Sequence, residues 1–151
     1  MVHKMNIIND NIWNYWNQGY YIIIPTNGTI RNDSALVMGR GLAKQANQKF
    51  TGINLILGNL IKLKGNYPFL LKDYKIISFP VKHNWWENAN LALIEQSSNL
   101  LKQLIIQQNL FNIAMPKVGC GNGKLQWKEV YPIISKYLED VVTIIDNHDN
   151  S

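Results

Sequence analysis

The strongest constraint on the fold is a repeated change of apolar period along the chain. Short β-rich runs at residues 2–8, 20–24, 74–79, 111–115 and 141–146 are separated by segments whose apolar residues recur at helical spacing. A weaker strand includes Phe69 and Leu70. The clearest helical stripe is Leu91, Ile94, Leu101, Leu104 and Ile105, with Asn90 placed as its N-cap. Trp127, Val130, Tyr131, Ile134 and Leu138 form a second stripe, in which Pro132 is tolerable only in or near the first turn. A third helix is expected over about residues 35–50, where Leu42, Ala43, Ala46 and Phe50 share a face and Gly39 and Gly41 weaken or open the start. A short fourth covers residues 53–60. Strands that alternate with helices, several of them apolar on both faces, predict an α/β chain: a three-layer α/β/α sandwich with a mixed or mostly parallel central sheet. In such sheets ligands bind beyond the carboxyl ends of the strands.

The 151 residues, 46% of them hydrophobic, are enough for one compact domain over residues 1–151, and neither a repeat nor a linker divides them. The polar tail at 147–151 is expected to fray. The single cysteine, Cys120, excludes an intramolecular disulfide, and no leader pattern is visible, so a reducing, intracellular, cytoplasmic setting is the expectation. No apolar run approaches the roughly 18 residues that a membrane helix needs. His3, His83 and His148 are too scattered for a zinc site, and neither a metal nor a cofactor is called for. The formal charge of +5 favours anionic partners such as nucleotides or nucleic acid. A compositional skew would explain it equally well, because Lys outnumbers Arg thirteen to two and Asn and Ile each occur twenty times. Position adds something: all 15 basic residues precede Glu139, so residues 1–138, with six acidic residues, carry +9.

Three strand ends open into loops that could carry chemistry. The first runs through Asn27 and Gly28 to Met38, Gly39, Arg40 and Gly41, small residues that let backbone approach a ligand closely. The second, Pro116 to Lys124, has Gly119, Gly121 and Gly123 around Cys120 and Asn122, followed by a helix start. Consecutive amides there would make a pyrophosphate cradle, with Lys117 and Lys124 at its rim, although such glycines also build plain turns. It lacks the Ser or Thr of a Walker A loop, and neither loop has the Rossmann spacing. The third packs Lys82, His83, Trp85, Trp86 and Glu87 after a buried strand. A lysine beside aromatic surface can have a lowered pKa and attack an aldehyde-like sugar carbon, while His83 and Glu87 could move protons. Equally, the tryptophans could anchor the loop and the polar residues be solvated. Cys120 has no evident base nearby in sequence.

In order along nearly the whole chain, these segments resemble the macrodomain family, whose members bind ADP-ribose. The stretch from Ala114 to Trp127, with Val130 and Pro132, looks like the phosphate-loop signature of the branch that contains the terminal ADP-ribose glycohydrolases and the DarG-type antitoxins, which remove ADP-ribose from DNA thymidine. The stretch from Val37 to Gln45 is similar to that branch's first substrate loop, and Phe79, Pro80, Val81 and Lys82 followed by Trp85 to the loop bearing its hydrolytic lysine. The resemblance implies that Asn27 contacts the distal ribose near the scissile carbon and that Gly39, Arg40 and Gly41 line the pyrophosphate and distal ribose. Val118, Gly119, Cys120, Gly121 and Asn122 would cradle the phosphates from the other side. Asp10, Asn11 and Ile12 fall where the family holds adenine. Asn11 stands where an Asp is common, so adenine recognition would be weaker or would use Asp10. Gly123 stands where the glycohydrolase branch can carry an acid, as it does in the DNA-directed antitoxins.

The resemblance therefore implies a hydrolase that releases ADP-ribose from a conjugate, with Lys82 assisting at the anomeric carbon by attack or electrostatic stabilisation, and His83 or Glu87 carrying the proton. DNA or RNA is the favoured carrier, protein the other, and a monomer is expected. Gly123 and Asn11 favour an alternative, a module that binds ADP-ribose or a related nucleotide without turnover. The same pocket would also suit a phosphatase acting on ADP-ribose 1″-phosphate.

Overall fold

A computed structural model of the chain describes residues 5–146. In chain order the elements are β1 (Ile7–Asn9), α1 (Ile12–Asn17), β2 (Tyr21–Thr26), α2 (Gly41–Lys49), α3 (Ile53–Lys64), β3 (Phe69–Leu71), β4 (Ile76–Pro80), α4 (Leu91–Gln108), β5 (Ile113–Met115), α5 (Trp127–Leu138) and β6 (Thr143–Asp146). A 3-10 turn, Lys72–Tyr74, joins β3 to β4. The strands form one sheet in the order β1-β6-β5-β2-β4-β3. All neighbours are parallel except β3, which runs antiparallel to β4, so the sheet is mixed as expected.

The period of two within each strand sends alternate residues into two separate cores. Ile23, Ile77, Phe79, Ile113, Met115 and Ile144 pack against Ile94, Leu101 and Ile105 of α4 and Val130, Ile134 and Leu138 of α5. Ile22, Ile24, Ile76, Ala114 and Ile145 face the other way, against Ile12 of α1, Leu42 and Ala46 of α2, and Ile53, Leu57 and Ile61 of α3. The central strands are thus apolar on both faces because helices cover both. Each fully buried Ile, Leu or Phe contributes about 1.5–3 kcal/mol relative to exposure.

Several boundaries differ from the sequence expectation. The helix expected over residues 35–50 begins only at Gly41, because tertiary partners take the preceding amides: Leu36 N–H donates to the Asn54 carbonyl (2.9 Å) and Val37 N–H to that of Thr29 (3.0 Å). α3 continues to Lys64 and stops where Gly65 adopts a φ of 107°. Helix α1, absent from the expectation, is a single amphipathic turn and a half started by the Asn11 cap, too short to show a period. Pro132 lies one turn further into α5 than expected. Asn90 caps α4 as read, its Oδ1 accepting from Leu93 N–H at 2.9 Å. His3, His148 and the tail at 147–151 lie outside the described residues, as does the start of the run at 2–8.

Candidate functional site

Strands β5, β2 and β4 are parallel neighbours, so the loops leaving their carboxyl ends emerge together at one edge of the sheet. They enclose a cavity of about 330 Å³. Pro25, Thr26 and Asn27 line it from β2, residues 37–43 from the approach to α2, Val81, Lys82 and Trp85 from the loop after β4, and Gly119, Gly121, Asn122 and Gly123 from the loop after β5. Its two walls are built differently. Arg40 occupies the N-cap of α2 and makes no side-chain cap, which leaves the first-turn amides of that nine-residue helix to face the cavity. Opposite, Gly119 has a φ of 76°, a backbone state that side chains rarely adopt, and Gly123 is too close to its neighbours for one: a Cβ there would lie 2.5 Å from the Gly119 carbonyl oxygen and 2.7 Å from the Ala89 Cβ.

Lys82 sits between those walls, only 8% exposed. Its Nζ donates to the Asn122 carbonyl at 3.3 Å and to that of Trp85 at 3.4 Å, joining the two loops. Burial holds its ammonium below the ordinary lysine pKa, helped by the positive charges of Arg40 and Lys124. The backbone that carries it is pinned on every side. Val81 N–H donates to the Thr26 carbonyl (2.9 Å), Asn90 N–H to that of Val81 (2.8 Å), Ser97 Oγ to that of Pro80 (2.7 Å) and Asn66 Nδ2 to that of Lys82 (3.1 Å). The Arg40 guanidinium lies over the Trp85 ring, 5.5 Å from its centroid, across the cavity mouth.

The structure brings together only some of the residues singled out in the sequence. Asn27, Gly39, Arg40, Gly41, Lys82, Gly119, Gly121 and Asn122 line the cavity. Asn27 also braces its own loop, with Nδ2 donating to the Val37 carbonyl (3.0 Å) and Oδ1 accepting from Thr29 N–H (2.9 Å). His83 and Glu87 do not reach the cavity lining. Both are exposed, and the Glu87 Oε1 accepts from Asn84 N–H at 2.7 Å, closing a local turn. Among the described residues no histidine or carboxylate lines the cavity at all. Val118 is fully buried in the core between the sheet and α4–α5. Cys120 lies outside the lining, and burial pushes its thiol up to about 11, outweighing the opposite pull of Lys117. Lys117 turns away to pair with Asp146 at 3.1 Å. Asp10, Asn11 and Ile12 also lie outside the lining: Asn11 Oδ1 caps α1 through Trp13 N–H (3.1 Å), Asp10 Oδ1 accepts from Asn11 N–H (2.7 Å), and Ile12 is core.

Sequence reading passed over Thr26, whose buried Oγ1 has no partner among the described residues, because it ends the strand two positions beyond the expected boundary. It also passed over Asn66, which follows the α3 C-cap and reaches Lys82 only through tertiary folding.

The Macro domain family model matches residues 67–134, less than half of the chain, a stretch that includes the Lys82 loop and the glycine loop. The chain is 27% identical to human ADP-ribose glycohydrolase OARD1, over 68% of this chain and 67% of that protein. It is 25% identical to a DNA ADP-ribosyl transferase–DNA ADP-ribosyl glycohydrolase fusion protein of Thermosipho africanus, and spans about a third (34%) of that protein's length. In fold it is similar to the macrodomain of Thermus aquaticus DarG, with a TM-score of 0.76 at 22% identity over 95% of this chain and 98% of that one. A mixed six-stranded sheet between two helical layers, with a glycine loop facing an uncapped helix across its carboxyl edge, is thus a fold that the chain shares with macrodomains.

Proposed function

We propose that the cavity binds ADP-ribose and that the domain hydrolyses an ADP-ribosyl conjugate, with nucleic acid as the favoured carrier. The observation that carries this reading is the buried Lys82 ammonium held between two backbone anion sites, the first turn of α2 and the loop of Gly119 to Gly123. A pyrophosphate spanning those sites would bring the distal ribose towards Lys82 and Asn27. The names of the similar proteins supply the reaction class, glycohydrolysis of ADP-ribose from DNA in one case. With no histidine or carboxylate on the lining among the described residues, Lys82 is the group at the cavity best suited to act on the anomeric carbon. As an ammonium it stabilises the carrier's departing electron pair. As a free amine, which its lowered pKa makes accessible, it bonds to the anomeric carbon while the bond to the carrier breaks. The carrier then takes its proton from water, and a second water releases ADP-ribose and restores the lysine.

The same lining supports a second reading, binding without turnover, since Gly123 leaves no room for the acid that the glycohydrolase branch can carry there. Incubation with ADP-ribosylated thymidine DNA, an ADP-ribosyl-glutamate protein and ADP-ribose 1″-phosphate, beside calorimetry with ADP-ribose, separates these. Release of ADP-ribose from a conjugate is expected. Binding with no product from any of the three would leave a binding module, and product from the phosphate alone would leave a phosphatase. Affinity for DNA is expected to fall steeply between low and physiological salt, and a flat response would remove the nucleic-acid carrier.

A further inference from the structure

Asn66 stands outside the cavity lining, in the turn between α3 and β3, yet it holds the residue on which the proposed chemistry depends. Its Nδ2 donates to the Lys82 carbonyl at 3.1 Å. The amide has only this orientation, because its oxygen turned towards that carbonyl would set acceptor against acceptor. The same amide lies against the bare Cα of Gly28, where a Cβ would be 2.8 Å from Asn66 Nδ2 and 2.8 Å from the His83 carbonyl oxygen. Gly28 N–H in turn donates to that His83 carbonyl at 3.1 Å. The Lys82–His83 segment is thus gripped at two successive carbonyls, by Asn66 and by Gly28. Gly28 follows Asn27, a cavity residue at the end of the neighbouring strand.

The Lys82 ammonium is not fixed by its own contacts. Its Nζ lies 3.4 Å from the Trp85 carbonyl and 3.3 Å from that of Asn122, whereas charge-assisted bonds of full strength run to about 2.7–2.9 Å. Its place in the cavity therefore follows from its backbone. Before Lys82, Val81 is tied to Thr26 and Asn90; after it, the hold passes to Asn66 and Gly28. Asn66 is itself placed by the end of α3. Gly65 leaves the helix at a φ of 107°, and Tyr67 N–H donates back to the Gly65 carbonyl at 2.9 Å, a three-residue turn with Asn66 at its tip. The Asn66 Oδ1 is buried with no partner among the described residues. An unmet buried acceptor lowers stability, so one half of this side chain works against the fold while the other half holds the lysine loop.

We propose that Asn66 is a positioning residue: by clamping the Lys82–His83 segment against Gly28, it sets where the lysine ammonium stands relative to Asn27 and so to the anomeric carbon. This rests on Lys82 acting at that carbon. Displacing a reacting group by about 1 Å can cost on the order of a hundredfold in rate, so loss of the clamp is felt in turnover before it is felt in binding.

The test compares wild type, Asn66→Ala, Gly28→Ala and the double variant on whichever of ADP-ribosylated thymidine DNA and ADP-ribosyl-glutamate protein wild type hydrolyses, beside ADP-ribose calorimetry and Tm. Asn66→Ala is expected to lower kcat about tenfold or more, with ADP-ribose affinity within about twofold and Tm within about 4 °C, because the lost bond and the lost unmet acceptor offset each other. Gly28→Ala presses on the clamp from the other side and is expected to lower kcat similarly, with the double variant no worse than the poorer single one, since both act through one segment. Unchanged kcat, a loss of affinity as large as the loss of kcat, or losses that multiply in the double variant overturns the proposal. Should Asn66→Ala not fold, Gly28→Ala decides on the same comparison of kcat with affinity. Should wild type hydrolyse nothing, the function reading fails and the clamp is still tested by NMR titration of the Lys82 ammonium. Burial, Arg40 and Lys124 hold its pKa below 10.5, and Asn66→Ala is expected to move it up towards that value as the side chain shifts towards water. An unmoved titration in that case overturns it.

Discussion

The two loops that face each other across the cavity work by opposite means. The loop after β5 is shaped by its backbone: one glycine is in a left-handed state and another has no room for a Cβ, while its cysteine and its first lysine engage other partners. The loop after β4 acts through side chains, one buried cation and two indoles, on a backbone fixed by bonds to β2, α4 and the segment after α3. Lys82 joins them by donating to a carbonyl on each. A wall made of peptide groups tolerates almost no change in shape. A site made of side chains tolerates changes of shape and fails with changes of chemistry.

That contrast can be broken at several points. Replacing Lys82 by Ala is expected to lower kcat on the conjugate about a hundredfold or more, with ADP-ribose affinity by calorimetry changed less than about tenfold. Full turnover in this variant would remove the lysine from the chemistry. The same group sets a pH signature. In the folded protein its pKa lies below the unfolded value of 10.5, so between those two pH values the unfolded chain keeps a proton that the fold has released. Wild type should therefore gain stability relative to Lys82→Met as pH rises through that window, read as the pH dependence of Tm. The opposite slope would mean that the site stabilises the ammonium more than burial penalises it.

Gly123→Asp tests the backbone loop. The overlap with the Gly119 carbonyl and Ala89 should cost about 1–3 kcal/mol in urea unfolding and weaken ADP-ribose binding. A stable variant with raised turnover would show instead that the loop yields to admit an acid. Asn90→Ala removes the cap that starts α4 directly after the side-chain loop, and should cost about 1 kcal/mol of stability with little loss of ligand affinity. His83→Ala and Glu87→Gln should be smallest, each within about 0.5 kcal/mol in stability, with turnover within a factor of about two. A large loss of turnover in either would mean that the loop rearranges to bring that side chain to the substrate.

Legibility in the sequence followed the same division. The strands that form the sheet centre were recognisable because each is apolar on both faces, and α4 and α5 because their stripes are long enough to show a period. The glycine loop and the lysine loop were recognisable by residue type. What escaped was set by distant partners. Nothing near Ala35 marks that Asn54 and Thr29 will claim the amides of Leu36 and Val37 and delay the helix to Gly41. His83 and Glu87 have suitable chemistry and are two of the nearest such residues to Lys82 in sequence, but the chain turns them outward and spends the Glu87 carboxylate on a turn. Thr26 and Asn66 look ordinary in a list of residues and become cavity lining and loop brace only when β2 and the end of α3 converge on β4.

By itself, then, the sequence determined the layer architecture, the edge of the sheet at which the cavity opens, and the residue types held in two loops. Apolar period and glycine content are local properties, written in neighbouring residues. Only the tertiary structure decided which side chains share the cavity, that Gly123 has no space for an acid, that Lys117 is diverted to Asp146, and that the Lys82 ammonium is carried at a lowered pKa. Burial, close approach and charge proximity are relations between segments far apart in the chain, and they exist only once the sheet has set three strand ends side by side.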